Sequence, residues 1–290
     1  MNLIIITPIR NEEKTLHQFI HSVLKQDLKP LLWIFINDNS EDESVSIITS
    51  YMSNHKFMHL LNNNKIKNTR ETGAPIVDMI NYGLEYTENE KKIDWNILLK
   101  LDGDLEIDTH SYFSGIMSEF EKNDKLGIAS GYIYYRENGK KVYESKYLWN
   151  TQGATKFYRK ECFYKIGGLK RMRAWDSIDD ILARHHGFLT RKYKQYELQH
   201  FYKTNMRDET GGYWGGLRKN ALGYRNKSYP ILMYFLKSAK LSFSKPYLIG
   251  GIYFLIVGII YNFKYKSQIS EGEKKIVRKF IFSRLRGNIR

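Results

Sequence analysis

The feature that most restricts the fold is a regular change of hydrophobic period along the first hundred residues. The run "LIIIT" (3–7) is short, apolar and of strand length, and "EEKTLHQFIHSVLKQ" (12–26) then spaces Leu16, Phe19, Ile20, Val23 and Leu24 at helical intervals. "LLWIFINDNS" (31–40) returns to a strand pattern and is followed by "EDESVSIITSYMSN" (41–54), whose acidic opening suits the positive end of a helix. "FMHLLNN" (57–63), "GAPIVDMINYGLEYT" (73–87) and "WNILLKL" (95–101) repeat the alternation. Strand, helix, strand, helix in this order predicts an α/β layer with a parallel sheet and right-handed crossovers. In such open sheets the ligand crevice lies beyond the carboxyl ends of the strands.

The residues at those ends are polar and charged. After the first strand come Thr7, Pro8, Arg10, Asn11 and Glu12; after the second, Asn37, Asp38, Asn39 and Ser40; after the fourth, Asp102, Gly103 and Asp104. These turns contain neither the Gly-x-Gly-x-x-Gly of a dinucleotide cradle nor the Gly-x-x-x-x-Gly-Lys-Ser/Thr of a phosphate loop, so a diphosphate held here needs another form of neutralisation. Asp102 and Asp104, one residue apart in extended backbone, project to the same side, and Gly103 lets the chain approach a ligand closely. Two hard carboxylates suit a hard divalent cation that takes its other ligands from water and substrate phosphates. Such an ion stabilises a diphosphate as a leaving group. A solvated acidic turn is the alternative, and the position at the end of the fourth strand favours the metal.

The net charge of +15 suggests nucleic acid until it is located along the chain. Residues 1–209 hold 30 Lys/Arg against 29 Asp/Glu, whereas residues 210–290 hold 16 against 2. No acidic residue lies between Thr210 and Ser270, and that stretch contains "YLIGGIYFLIVGIIYNF" (247–263), 17 uncharged residues flanked by Lys245, Lys264 and Lys266. Basic charge interleaved with apolar sequence points to an anionic membrane surface rather than to nucleic acid. As a helix the segment is about 25 Å long, just short of the hydrocarbon thickness. It is therefore expected either to span with its lysines snorkelling or to lie re-entrant in the interface. A buried core helix is the alternative. The apolar "YPILMYFLKSAKLSF" (229–243) before it has the composition of an interfacial helix.

"IIITPIRNEEKTLHQFIHSVLKQDLKPLLWIFINDNSEDES" resembles the opening of family 2 glycosyltransferases of the GT-A fold, and "LLKLDGDLEI" resembles their Asp-x-Asp metal motif. "GATKFYRKECFYKIGGLKRMRAWDSIDDILARHHGF" is similar to the later part of the same catalytic domain, where an acidic residue lies eleven positions before a glycine; from Gly187 that position is Asp176. The resemblance covers about residues 1–225. It implies a GT-A catalytic domain with a mostly parallel central sheet flanked by helices; the charge and apolar pattern described above makes 226–290 a basic and apolar helical membrane-association region. The resemblance further implies inverting transfer of a sugar from a nucleotide-diphosphate donor, with Mg2+ or Mn2+ as cofactor. By the same resemblance Pro8, Arg10, Glu12 and Arg70 lie near the nucleotide, Asp38 bonds the base, Asp102 sits near the ribose and metal, and Asp104 binds the metal. His200 falls where some members place a histidine, as a third metal ligand or as a satisfied histidine with no such role. The expected acceptor is a lipid-linked or cell-surface glycan, met at the cytoplasmic face of the membrane.

Inversion in one displacement needs a carboxylate opposite the leaving diphosphate to take the acceptor's proton. Trp175 beside Asp176 offers a ring to desolvate that carboxylate and raise its pKa. Asp179 is the competing base. With Asp180 it would occupy the first turn of a helix starting near Ser177, where acidic residues also stabilise the helix end without catalysis. This chain has Trp-Asp where many members have Glu-Asp. Two other function classes remain at this level: a nucleotidyltransferase of related fold, which would want a glycine-rich, lysine-bearing loop in place of "TPIRNEEK", and a non-enzymatic membrane or nucleic-acid-binding protein, which leaves the three motifs unexplained.

Overall fold

The structure, a computed structural model, describes residues 1–63, 74–144, 147–202 and 212–287. The amino-terminal half alternates as its sequence predicts: β1 (Leu3–Ile9), α1 (Glu13–Leu24), β2 (Leu32–Asn37), α2 (Ser44–Met52), β3 (Met58–Asn62), α3 (Ala74–Glu85), a π-helical turn (Tyr86–Glu90) and β4 (Ile97–Leu101). These four strands are parallel, in the order β3-β2-β1-β4. β1, β2 and β4 are fully or nearly fully buried because helices cover both faces, whereas β3 at the edge is only partly buried. Successive side chains of β1 divide between the two cores: Ile4 and Ile6 join Val77 and Ile80 of α3, while Leu3 and Ile5 join Phe19 and Ile20 of α1.

Beyond β4 the chain departs from the mostly parallel sheet. It continues through β5 (Leu105–Ile107), α4 (Tyr112–Lys122), β6 (Leu126–Glu137), β7 (Lys140–Tyr143), β8 (Thr155–Arg159), α5 (Lys160–Lys165), α6 (Trp175–His185) and β9 (Leu189–His200). β8 inserts beside β4 antiparallel, β6 pairs antiparallel with β8 and β7 and parallel with β9, and β5 closes the edge antiparallel to β9. The sheet is therefore mixed. Among the described residues only β6 and β7 form a hairpin; α4 joins β5 to β6 and α5 with α6 joins β8 to β9, and the β5–β9 pairing brings the end of β9 back to the edge where β4 stops.

The residues after 225 do not form one unit. Helices α7 (Gly212–Asn226), α8 (Ile231–Ser242) and α9 (Ile249–Lys264) share a small core of Leu217, Ala221, Tyr234, Phe254 and Val257. α9 lies so close to α8 that a Cβ on Gly258 would meet the Tyr234 ring at 2.2 Å. Helix α10 (Glu271–Leu285) instead returns to the catalytic body. Val277, Phe280 and Ile281 join the main core, Phe280 packs on Trp149 with ring centroids 5.0 Å apart, and Glu273 pairs with Lys170 at 2.8 Å.

Of the two expectations for 247–263, spanning or lying re-entrant, the first is corrected. α9 begins only at Ile249, after Leu248 at φ +57°, and has 16 residues. Its length is about 24 Å. Among the described residues no helix is long and apolar enough to cross a membrane.

Candidate active site

The loops after β1 and β2 are laced together by short polar side chains. Asn11 N–H donates to Ser40 Oγ (3.1 Å), Glu41 N–H to Asn11 Oδ1 (2.9 Å) and Glu12 N–H to Ser44 Oγ (2.8 Å). Arg10 reaches Asp38 at 3.5 Å, and the other Asp38 oxygen accepts from Asn63 Nδ2 at 3.1 Å. The Asp38 carboxylate is thus held at the carboxyl end of β2, beside half-buried Pro8. Glu12 is buried, and a Cβ on Gly103 would stand 3.7 Å from its Cγ and 3.3 Å from Ile9, so the β4 turn sits directly against the β1 loop. Pro8, Arg10, Glu12, Asp38, Asp102 and Asp104 therefore share one edge of the sheet. Arg70 lies outside the described residues.

At the β4 end the two aspartates have different partners. Asp102 Oδ1 is 2.5 Å from Lys100 Nζ. Asp104 Oδ2 is 2.9 Å from His200 Nε2, and His200 Nδ1 is 2.8 Å from Glu144 Oε1. The pairing of Leu105 with His200 in the β5–β9 ladder delivers the histidine there. Burial opposes charge on His200, but the bonds to Asp104 and Glu144 outweigh it and push its pKa up to about 10. The donor set fits a divalent ion: a carboxylate and an imidazole whose far nitrogen is held by a second carboxylate, the arrangement that orients metal-binding histidines. Among the described residues no group of three or more His, Cys, Asp or Glu side chains could hold a metal. An ion here would complete its shell from phosphate oxygens and water.

Asp176 stands in the first turn of α6, which starts at Trp175 rather than near Ser177. Its carboxylate packs against Gly153, where an added Cβ would lie 2.8 Å from Asp176 Oδ2. Asp179 and Asp180 lie one turn further in and are buried. Lys156 Nζ donates to both Asp179 oxygens (2.7 and 2.8 Å) and to the Asp176 carbonyl (2.5 Å), and lies 3.5 Å from Asp180. Tyr158 Oη donates to Asp179 Oδ2 at 2.5 Å, while Thr151 donates its N–H and hydroxyl to Asp180 at 2.9 and 2.6 Å. Asp179, the competing base, is thus fully engaged inside the protein, and only Asp176 of the three is partly exposed.

Two lysines join these halves of the site. Lys100 and Lys156 are direct register partners across β4 and β8, and both are buried. Lys100 Nζ, besides its contact with Asp102, donates to the Gly153 carbonyl at 2.7 Å, beside Asp176. The Trp175 ring lies 5.5 Å from Lys100 Nζ and 5.9 Å from Lys156 Nζ. Burial opposes charge on Lys156, but the surrounding aspartates more than offset it and raise its pKa above the ordinary lysine value. Burial likewise pushes Asp180 up to about 7, against the pull of Lys156.

This order of strands and this edge of carboxylates agree with the comparisons to known proteins. The profile described as glycosyl transferase family 2 matches residues 4–223. The chain belongs to that family. This glycosyltransferase is 30% identical over 121 residues to poly-beta-1,6-N-acetyl-D-glucosamine synthase of Staphylococcus epidermidis, a match covering 42% of the chain and 26% of the relative. It therefore spans only about a quarter of that protein's length. Among solved structures it resembles a mannosyltransferase from Pyrobaculum calidifontis in complex with GDP-Man and Mn2+ (TM-score 0.61, 12% identity, 90% of this chain and 87% of that one). It also resembles S. aureus TarS in complex with UDP-GlcNAc (TM-score 0.54, 15% identity, 92% and 74%). At these identities the likeness establishes the GT-A type of fold.

The structure also brings to this edge residues that motif spacing does not reveal: Lys100, Glu144, Gly153, Lys156 and Tyr158. A signal was available for the lysines. Lys100 interrupts the buried run "NILLKL" and Lys156 lies in "GATKFY", and a lysine inside a buried strand must find carboxylate partners. Glu144 gives no comparable signal, because it reaches His200 across 56 residues of sequence.

Proposed function

We propose that this glycosyltransferase moves a sugar from a nucleotide-diphosphate donor to a hydroxyl of a lipid-linked or cell-surface glycan, with inversion and with Mg2+ or Mn2+ as cofactor. The observation that carries the reading is the pair of carboxylate stations on one edge: Asp102 and the Asp104–His200 pair on one side, Asp176 against Gly153 on the other, with Lys100 reaching from Asp102 to the Gly153 carbonyl. Pro8, Arg10, Glu12 and Asp38 form the nucleoside side of the crevice, with Asp38 accepting from the base; Arg70 is assigned to the nucleotide by resemblance alone. Asp104 and His200 would hold the cation, with Asp102 near it and the ribose. When bound, that ion screens the diphosphate and stabilises it as a leaving group.

The acceptor oxygen attacks the anomeric carbon as the bond from that carbon to the diphosphate oxygen breaks. Asp176 takes the hydroxyl proton, and the electron pair leaves with the nucleoside diphosphate. A donor panel tests the reading. The name of the Staphylococcus epidermidis relative and the TarS complex make UDP-GlcNAc the first donor to try, and GDP-Man the second. Metal-dependent release of the nucleoside diphosphate with formation of a glycoside is expected. Full turnover in EDTA, or release of pyrophosphate in place of the diphosphate, would count against it.

A further inference from the structure

We propose that the α8–α9 hairpin is a docking face for the anionic surface of the cytoplasmic leaflet, lying in the interface without crossing the bilayer. The inference stands on the outside of the two helices and does not depend on the reaction assigned above.

Each helix has two dissimilar sides. On α9 the buried positions Gly250, Gly251, Phe254, Val257 and Gly258 face the protein, while Ile252, Ile256, Ile259, Ile260 and Phe263 form an outward stripe at helical spacing. On α8, Tyr234 and Ser238 face inward, and Ile231, Leu232, Phe235 and Leu236 face out. Phe243, Tyr247 and Leu248 occupy the connection, so apolar exposure continues from one stripe to the next; Phe243 is 84% and Phe263 89% exposed. A water-facing helix surface has no use for such a concentration of large apolar side chains, which marks an interaction site.

Charge selects the occupant. Lys240, Lys245, Lys264 and Lys266 are exposed around the stripes, and the sequence from 211 to 269 contains no Asp or Glu. An apolar face bordered by basic residues alone matches a bilayer whose headgroups are negative and whose interior is apolar. A second copy of this chain would set the same positive rim against itself. The 16 residues of α9 and the packing of its inner side on α7 and α8 fit a helix lying along the surface. α10 returns to the catalytic body and fixes the hairpin to it.

The test uses the full chain and vesicles of phosphatidylcholine with and without phosphatidylglycerol. Wild type should co-sediment with the anionic vesicles, more weakly with neutral ones, and should keep part of its binding at about 0.5 M salt, where charge pairing is screened but apolar insertion is not. Ile256→Gln with Phe263→Gln should lower partitioning about tenfold or more, while circular dichroism and turnover of a soluble acceptor stay unchanged. Lys264→Gln with Lys266→Gln should lower binding to anionic vesicles only. Wild type that ignores anionic vesicles, or an Ile256/Phe263 variant that binds them as well as wild type, would overturn the proposal. Lipid-free self-association lost in that variant would overturn it in favour of a dimer face.

Discussion

Lysine meets apolar sequence in two regions of this protein, with opposite results. In the sheet, Lys100 and Lys156 are buried and each is met by carboxylates of the same chain, at 2.5 Å for Lys100 with Asp102 and 2.7 Å for Lys156 with Asp179. In and beside the α8–α9 hairpin Lys240, Lys245, Lys264 and Lys266 are exposed, apolar side chains around them face outward, and the segment has no acidic residue to offer them. A charge placed in a low-dielectric interior must be compensated from within. A charge at an apolar edge, with no partner in its own segment, is compensated from outside. The first arrangement organises the candidate site, and the second is what the proposed docking face is built on.

The comparison predicts very different sensitivities. Lys156→Met leaves Asp179 and Asp180 buried without their cation, and should destabilise the fold by about 3–5 kcal/mol, as removal of one member of a buried pair does. The loss should be read by urea unfolding at pH 8 and repeated at pH 5. Asp180 is raised from 3.8 to about 7 in the folded protein, so that state keeps a proton the unfolded state has released. Its contribution to stability therefore falls as pH climbs between those values. The variant should recover part of its stability at pH 5; equal losses at both values would mean that the aspartates are not the cause. By contrast, Ile256→Gln and Phe263→Gln, on the outer stripe of α9, should each change stability by no more than about 0.5 kcal/mol. A large loss there would mean that the stripe packs against the protein.

A third effect concerns His200 in the metal-free protein. Its pKa is raised from 6.5 to about 10 by Asp104 and Glu144 against the opposing effect of burial. The stabilisation is fully present below about 6.5 and is lost as pH rises through about 10. The melting temperature in EDTA should fall over that window, and His200→Gln should flatten the fall. An unchanged slope would show that the histidine is not held between the two carboxylates.

The legibility of the sequence follows the same division. β1 to β4 and their helices were readable because the strands are short, mainly apolar runs, the helices between them carry apolar residues at helical spacing, and the polar residues collect at strand ends. That pattern also located Asp38, Asp102 and Asp104. The antiparallel half was harder, because β9 reads "LTRKYKQYELQH", alternating charge and tyrosine with little apolar signal, yet it is the strand that carries His200 to Asp104. Trp175 was expected to desolvate Asp176, and its ring instead lies over the two lysines. The apolar segment 247–263 is one in which composition alone could not separate a spanning helix from an interfacial one; the start of the helix only at Ile249 and its 16 residues leave it too short for the span.

The account rests most heavily on Asp176 as the group that takes the acceptor's proton. A base that touches the acceptor and not the nucleotide contributes to the transition state and little to donor affinity. The direct measurement pairs kcat with donor binding by calorimetry in Mn2+, for wild type and Asp176→Asn. The expected result is a fall in kcat of about a hundredfold to ten-thousandfold, with donor affinity nearly unchanged. Near-normal turnover in Asp176→Asn, or a loss of donor binding that accounts for the whole defect, would contradict the assignment.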